Sequence, residues 1–149
     1  AFLKRRSQVR ILPGAFMEIN TLLLVAAGGG TGAVLRYLIA NFGQSLTVSS
    51  FPLGTLLVNI IGCVLIGFAT VLLIDPLANH RETLRLLFIV GMLGGFTTFS
   101  TFALDTFNLI DAGKGGQALL YVSLSNIVGI IAAWGAYRLG GAIFTTTTA

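Results

Sequence analysis

The side chains of this chain are poorly suited to making or breaking covalent bonds. The 149 residues hold one histidine, His80, and one cysteine, Cys63. Neither has a companion at catalytic or metal-ligating spacing, and no base stands beside the hydroxyl groups, which argues against nucleophilic and general acid–base chemistry. Hydrogen-bonding groups recur instead at helical intervals. Thr55 and Asn59 are four apart with Gly62 next on that face, and Tyr121 and Ser125 are four apart with Ser123 and Asn126 nearby. The stretch GGFTTFSTF, Gly94–Phe102, sets two glycines, four hydroxyls and three phenylalanines inside an apolar segment.

Each of these groups has a bland reading and a functional one. An asparagine buried in lipid needs a partner, so Asn59 serves either an interhelical hydrogen bond or a polar path. Gly94-Gly95 weakens a helix, while Thr97 and Thr98 compete for backbone hydrogen bonds. A break at mid-membrane is tolerated only where it is buried or lines a cavity, and it exposes carbonyl oxygens of the kind that coordinate Na⁺. Phe99 and Phe102, three apart, either pack against apolar surroundings or turn their positive ring edges toward an anion. Hydroxyls and amides would then supply the donors that the anion's water had supplied, with no fixed charge to trap it. Arg36 either snorkels to the interface or draws anions to an aqueous mouth. Asp105 is the sole carboxylate well inside an apolar segment, and one carboxylate makes no proton relay. Gly28–Gly32 has neither the lysine nor the preceding strand of a phosphate loop, so close helix packing accounts for it better.

The elements that must position these groups are membrane spans. Hydrophobic residues make up 55% of the chain and charged ones 9%, far from a soluble composition. A spanning helix needs about 20 mostly apolar residues. Four segments qualify: residues 22–40, ending at Asn41-Phe42-Gly43; 53–74, between Ser49-Ser50-Pro52 and Asp75-Pro76; 84–110; and 118–139, where Trp134 and Tyr137 suit an interfacial belt. The short connections leave no room for a second domain.

The net charge of +4 lies upstream of Met17, in Lys4, Arg5, Arg6 and Arg10; the remainder is formally neutral and offers no nucleic-acid surface. Residues 1–16 read as an upstream segment outside the fold, with a signal-peptide n-region as the rival reading. Residues 17–141 form the expected membrane domain and 142–149 a tail. Arg81, Arg85 and Arg138 fall on one side and Lys114 and Arg36 on the other, almost no bias for a rule that normally sets orientation. Orientation depends either on other signals or on insertion both ways as an antiparallel pair. Glycine pairs at close-packing spacing (Gly28 and Gly32, Gly91 and Gly95, Gly54 and Gly62) serve contacts within the chain or, as expected for so small a bundle, within a homodimer. Cys63 reads as a small packing residue.

The motifs GGGTGAVLRY (Gly28–Tyr37), GTLLVNIIG (Gly54–Gly62) and GGFTTFSTF occur together in an order and spacing that resemble the Fluc (CrcB) fluoride channel family, over Met17 to about Gly141. The resemblance implies an all-α membrane protein in which two four-helix subunits, each with a broken third helix, form an antiparallel, dual-topology homodimer. It implies passive export of fluoride across the cell membrane, conferring fluoride resistance, and a structural Na⁺ at the dimer interface held by the carbonyls of Gly94 and Thr97. It carries the anion pathway onto Phe99, Phe102, Asn59 and Thr55, and more loosely onto Tyr121 and Ser125, with Arg36 at a vestibule. Two other classes stand beside it. A proton-coupled multidrug-type exporter would require a carboxylate inside the first helix, and Glu18 precedes that span. A structural membrane subunit would transport nothing.

Overall fold

The computed structural model describes residues 19–74 and 81–145. The upstream segment, Met17, Glu18, the Asp75-Pro76 stop, His80 and the last four residues lie outside the described residues. The described residues are helical apart from the connections and a two-residue joint in the third span, with no strand among them. Four of its helices are long and apolar enough to cross a membrane: Ile19–Ser45, Leu53–Leu73, Glu82–Asp111 and Gly115–Ile143.

The first two are α1 (Ile19–Ser45) and α2 (Leu53–Ile74). The third is composite: α3 (Arg81–Leu84), a π-helical stretch (Arg85–Leu93), α4 (Gly94–Phe96) and α5 (Phe99–Asp111). The fourth is α6 (Gly115–Thr145). Asn41-Phe42-Gly43 does not stop the first helix, which continues to Ser45. Gly43 is there for packing: a Cβ on it would lie 3.0 Å from the Gly54 Cα and 2.9 Å from the Leu57 side chain. The glycines of the third span are also helical rather than disruptive, with Gly94 at φ −62°, ψ −38°. Extended backbone falls three residues later, at Thr97 (φ −77°, ψ 157°) and Thr98 (φ −149°, ψ 115°). Gly95 is small because α1 passes against it, with the Gly29 Cα 2.9 Å from where its Cβ would stand.

Helix α1 packs mainly on the π-helical stretch and also on α2 and α4, while α2 packs mainly on α6. Gly28 and Gly91 meet backbone to backbone, since a Cβ on either would stand 3.1 Å from the other's Cα. Gly62 admits the Thr97 side chain, and Gly54 admits the Ala40 backbone. The close-packing glycines thus serve contacts within one chain. Cys63 also packs, its Sγ 3.2 Å from where a Gly129 Cβ would lie.

Two connections close the same end of the bundle. Gln44 braces the first, accepting at Oε1 from the Gly54 N–H (3.4 Å) and donating to the Phe51 carbonyl (3.2 Å). The second is a helix C-terminal motif in which Gly113 takes φ 71°, a left-handed conformation that favours glycine. Gly113 N–H donates to Ile110 O (2.9 Å) and Lys114 N–H to Leu109 O (2.8 Å), so Lys114 is aimed back toward the first connection. Under these turns lies a buried cluster of Leu56, Leu109, Ala118 and Tyr121, with Phe51 and Phe102 against it.

Outside this cluster the helices turn large apolar side chains outward, Leu23, Val34, Leu119 and Ile130 among them. That surface matches lipid, where apolar side chains incur no solvation cost. Trp134 is exposed, with the Arg138 guanidinium 6.0 Å from its ring centre. At the opposite end from Lys114, Arg85 forms two hydrogen bonds of 2.9 and 2.8 Å to the Glu82 carboxylate, offsetting one of the few charges there.

Candidate functional site

The site is built on the two extended residues of the third span. Asn59, on α2, reaches across and bonds Thr98 twice. Its Oδ1 accepts from the Thr98 N–H (2.9 Å), and its Nδ2 donates to the Thr98 carbonyl (3.1 Å). Thr98 then caps α5: its Oγ1 accepts from the Thr101 N–H (3.2 Å), as a threonine before a helix commonly does. The same hydroxyl donates to Thr101 Oγ1 (3.0 Å), and Thr98 is buried at 7% exposure.

These bonds fix which backbone oxygens lose their usual partners. In an unbroken helix the Gly94 carbonyl would accept from Thr98 N–H and the Thr97 carbonyl from Thr101 N–H. Both donors are diverted, one to the Asn59 side chain and the other to the Thr98 side chain. The Thr98 carbonyl is occupied by Asn59, while Leu93 O accepts from both the N–H and the hydroxyl of Thr97 (3.0 Å each). Gly94 and Thr97 therefore present carbonyl oxygens three residues apart at the joint, the hard-oxygen donor type that suits a small cation.

A groove of about 460 Å³ runs beside this segment, and Asn59, Gly94, Thr97, Phe99, Phe102 and Ser125 all line it. None of its lining residues is charged. One amide hydrogen of Asn59 is committed to Thr98, and the side chain has a second. Ser125 presents a buried Oγ with no hydrogen-bond partner. Asn126 also lines the groove while donating to Val122 O (2.7 Å).

Aromatic rings continue from the groove toward the end closed by the two turns. Phe99 and Phe102 have ring centres 5.5 Å apart, and Phe102 and Tyr121 are 5.3 Å apart, both pairs tilted by 41°. Phe51 meets Tyr121 edge-on at 5.8 Å. Tyr121 is fully buried, and its hydroxyl donates to Asp105 Oδ2 (3.4 Å). Thr55 is buried at 8% exposure one turn from Asn59 and does not line the groove, and Arg36 is half-buried on α1 and does not line it either.

The spacing patterns thus bring Asn59, Gly94, Thr97, Phe99, Phe102 and Ser125 to one groove, with Tyr121 directly behind Phe102. They mark Thr98 as a competitor for backbone hydrogen bonds but do not reveal its pairing with Asn59 across 39 residues. The available signal was a hydroxyl residue immediately before a renewed helical run.

Four spanning helices around an uncharged groove of amide, hydroxyl and aromatic groups define a small multi-pass membrane protein, with no cluster of metal-ligating side chains among the described residues. A sequence profile described as CrcB-like protein, Camphor Resistance (CrcB), matches residues 23–137, and the chain belongs to that family. A Coxiella burnetii (strain Dugway) protein named fluoride-specific ion channel FluC is 42% identical over 113 residues, covering 76% of this chain and 91% of the relative. Proteins of the same name from Agrobacterium fabrum and Thermus thermophilus are 42% and 41% identical, covering 83% and 85% of this chain and 98% of each relative. The chain is thus a multi-pass membrane protein of a family whose similar members are named as ion channels.

Proposed function

We propose that this chain is a fluoride-specific ion channel that lets F⁻ leave the cytoplasm passively and so protects against fluoride. The observation that carries this reading is the groove in which the unpartnered Ser125 hydroxyl, Asn59 and the Phe99–Phe102 pair line one uncharged space. A fluoride ion holds its water tightly, so it needs several donors in place of that water. Ring edges add weak positive charge without a cation that would hold the ion back. The names carried by relatives of about the same length support the same substrate.

The working form is an antiparallel, dual-topology homodimer with a structural Na⁺ at its interface. Phe99 is 80% exposed in the single chain, an aromatic wall that a second copy would cover. Gly94 and Thr97, whose carbonyl donors are diverted, would hold the Na⁺, two oxygens from each subunit. The bound cation would satisfy oxygens that lipid cannot. Asn59 and Thr98 keep those oxygens oriented. The proton-coupled exporter has less support: α1 carries no carboxylate, and Asp105 is bonded to Tyr121.

Expression in a fluoride-hypersensitive bacterial strain tests this reading. The protein should restore growth in external fluoride and lower the fluoride retained by the cells. Full expression in the membrane with no protection would refute it.

A further inference from the structure

A second, smaller cavity of about 140 Å³ lies at the end of the bundle closed by the two turns, lined in part by Ser50, Asp105, Asn108 and Lys114. It adjoins the aromatic series, because Asp105 is hydrogen-bonded to Tyr121, which packs on Phe102 of the groove. On the proposed channel reading, an ion leaving Phe102 toward this end must pass Asp105. A carboxylate opposes an anion there, and the partly apolar surroundings strengthen its field.

We infer that Lys114 is the counter-charge that lets an anion pass Asp105, and that Ser50 holds the ammonium in place for it. Lys114 Nζ donates to Ser50 Oγ at 2.6 Å, leaving two of its three N–H donors uncommitted by that bond. Lys114 sits where it does because Gly113 adopts its left-handed turn and directs the following residue back over the α1–α2 connection. Both charged residues border one small cavity, on a scale below the roughly 10 Å screening length at 0.1 M salt. Compensation at this range raises the local concentration of a passing anion without placing a cation inside the uncharged groove. Asp111, the other carboxylate on this side, is exposed and does not line the cavity. Asp105 remains useful because its oxygen accepts from the Tyr121 hydroxyl and fixes that ring against Phe102.

The inference rests on the fluoride-channel reading, and a charge-compensation cycle in liposomes tests it separately. Fluoride release is compared for wild type, Lys114→Gln, Lys114→Arg, Asp105→Asn and the Lys114→Gln/Asp105→Asn double variant. Each is measured at low ionic strength and with added impermeant glucamine gluconate. Lys114→Gln should slow release several-fold at low ionic strength and much less at high. Lys114→Arg should retain the wild-type rate, and the double variant should recover most of what Lys114→Gln loses. Asn at position 105 still offers an oxygen to Tyr121 but no longer opposes an anion, so Asp105→Asn alone should raise the rate at low ionic strength. A rate that does not rise there counts against the inference. Asp105→Asn decides the matter if Lys114→Gln fails to assemble. The inference is overturned if Lys114→Gln releases fluoride like the wild type, if its loss is equal at both ionic strengths, or if removing the Asp105 charge restores nothing. Wild-type liposomes that retain fluoride would instead defeat the channel reading, and this inference with it.

Discussion

Asn59 and Thr98 form a closed pair of hydrogen bonds, 2.9 and 3.1 Å, in which one side-chain amide satisfies both the N–H and the carbonyl of one backbone residue. The pairing resembles a rung of a β-ladder, placed between a helix and the extended joint of its neighbour. Leucine at position 59 would leave both Thr98 groups unpaired in a membrane interior. We expect Asn59→Leu to destabilise the protein by about 1–3 kcal/mol and to abolish fluoride flux. Thermal unfolding in detergent, alongside flux, checks this; unchanged stability would mean that the joint does not depend on Asn59.

Thr98 joins the two halves of the third span through its hydroxyl as well as its backbone. Thr98→Ser keeps the cap on Thr101 N–H and should fold and conduct. Thr98→Val is close in shape but has no acceptor, and should cost about 1 kcal/mol and lower the melting temperature in detergent. Equal behaviour of the two variants would assign the cap no role.

Phe102 lies between Phe99 and Tyr121, at 5.5 and 5.3 Å, whereas Phe99 has a single ring neighbour among the described residues. Phe102→Ile should therefore slow fluoride release more than Phe99→Ile, with dimer assembly intact in both by size-exclusion chromatography. Unchanged release in both variants would remove the aromatic rings from the path.

The proposed Na⁺ rests on two carbonyls whose normal donors bond elsewhere. Purification with Na⁺ replaced by a large organic cation should weaken the dimer and slow fluoride release, and added Na⁺ should restore both. A dimer equally stable in either medium would argue against a structural cation.

Much of this was legible in the chain itself, because lipid penalises unpaired polar groups and so makes each intramembrane Asn, Ser or Thr informative. The spacing of Thr55, Asn59, Tyr121 and Ser125 marks helix faces, and six candidate residues meet at one groove. The location of the extended joint was less legible. Gly94-Gly95 has low helix propensity, yet both residues stay helical, Gly95 with α1 packed against it, and the joint falls at Thr97-Thr98, where Asn59 supplies substitute hydrogen bonds. Propensity is local, and that compensation comes from another helix. Gly43 was misleading for the same reason: it reads as a stop, but contact with Gly54 keeps it inside α1. The Lys114–Ser50 contact spans 64 residues and leaves no local pattern.

The most direct test of the central claim is ion release from liposomes holding purified protein, loaded with equal fluoride and chloride, with potassium permeability supplied to carry the counter-current. The account predicts rapid release of F⁻ while Cl⁻ stays inside. Fluoride that remains trapped, or chloride that leaves as fast as fluoride, would contradict it.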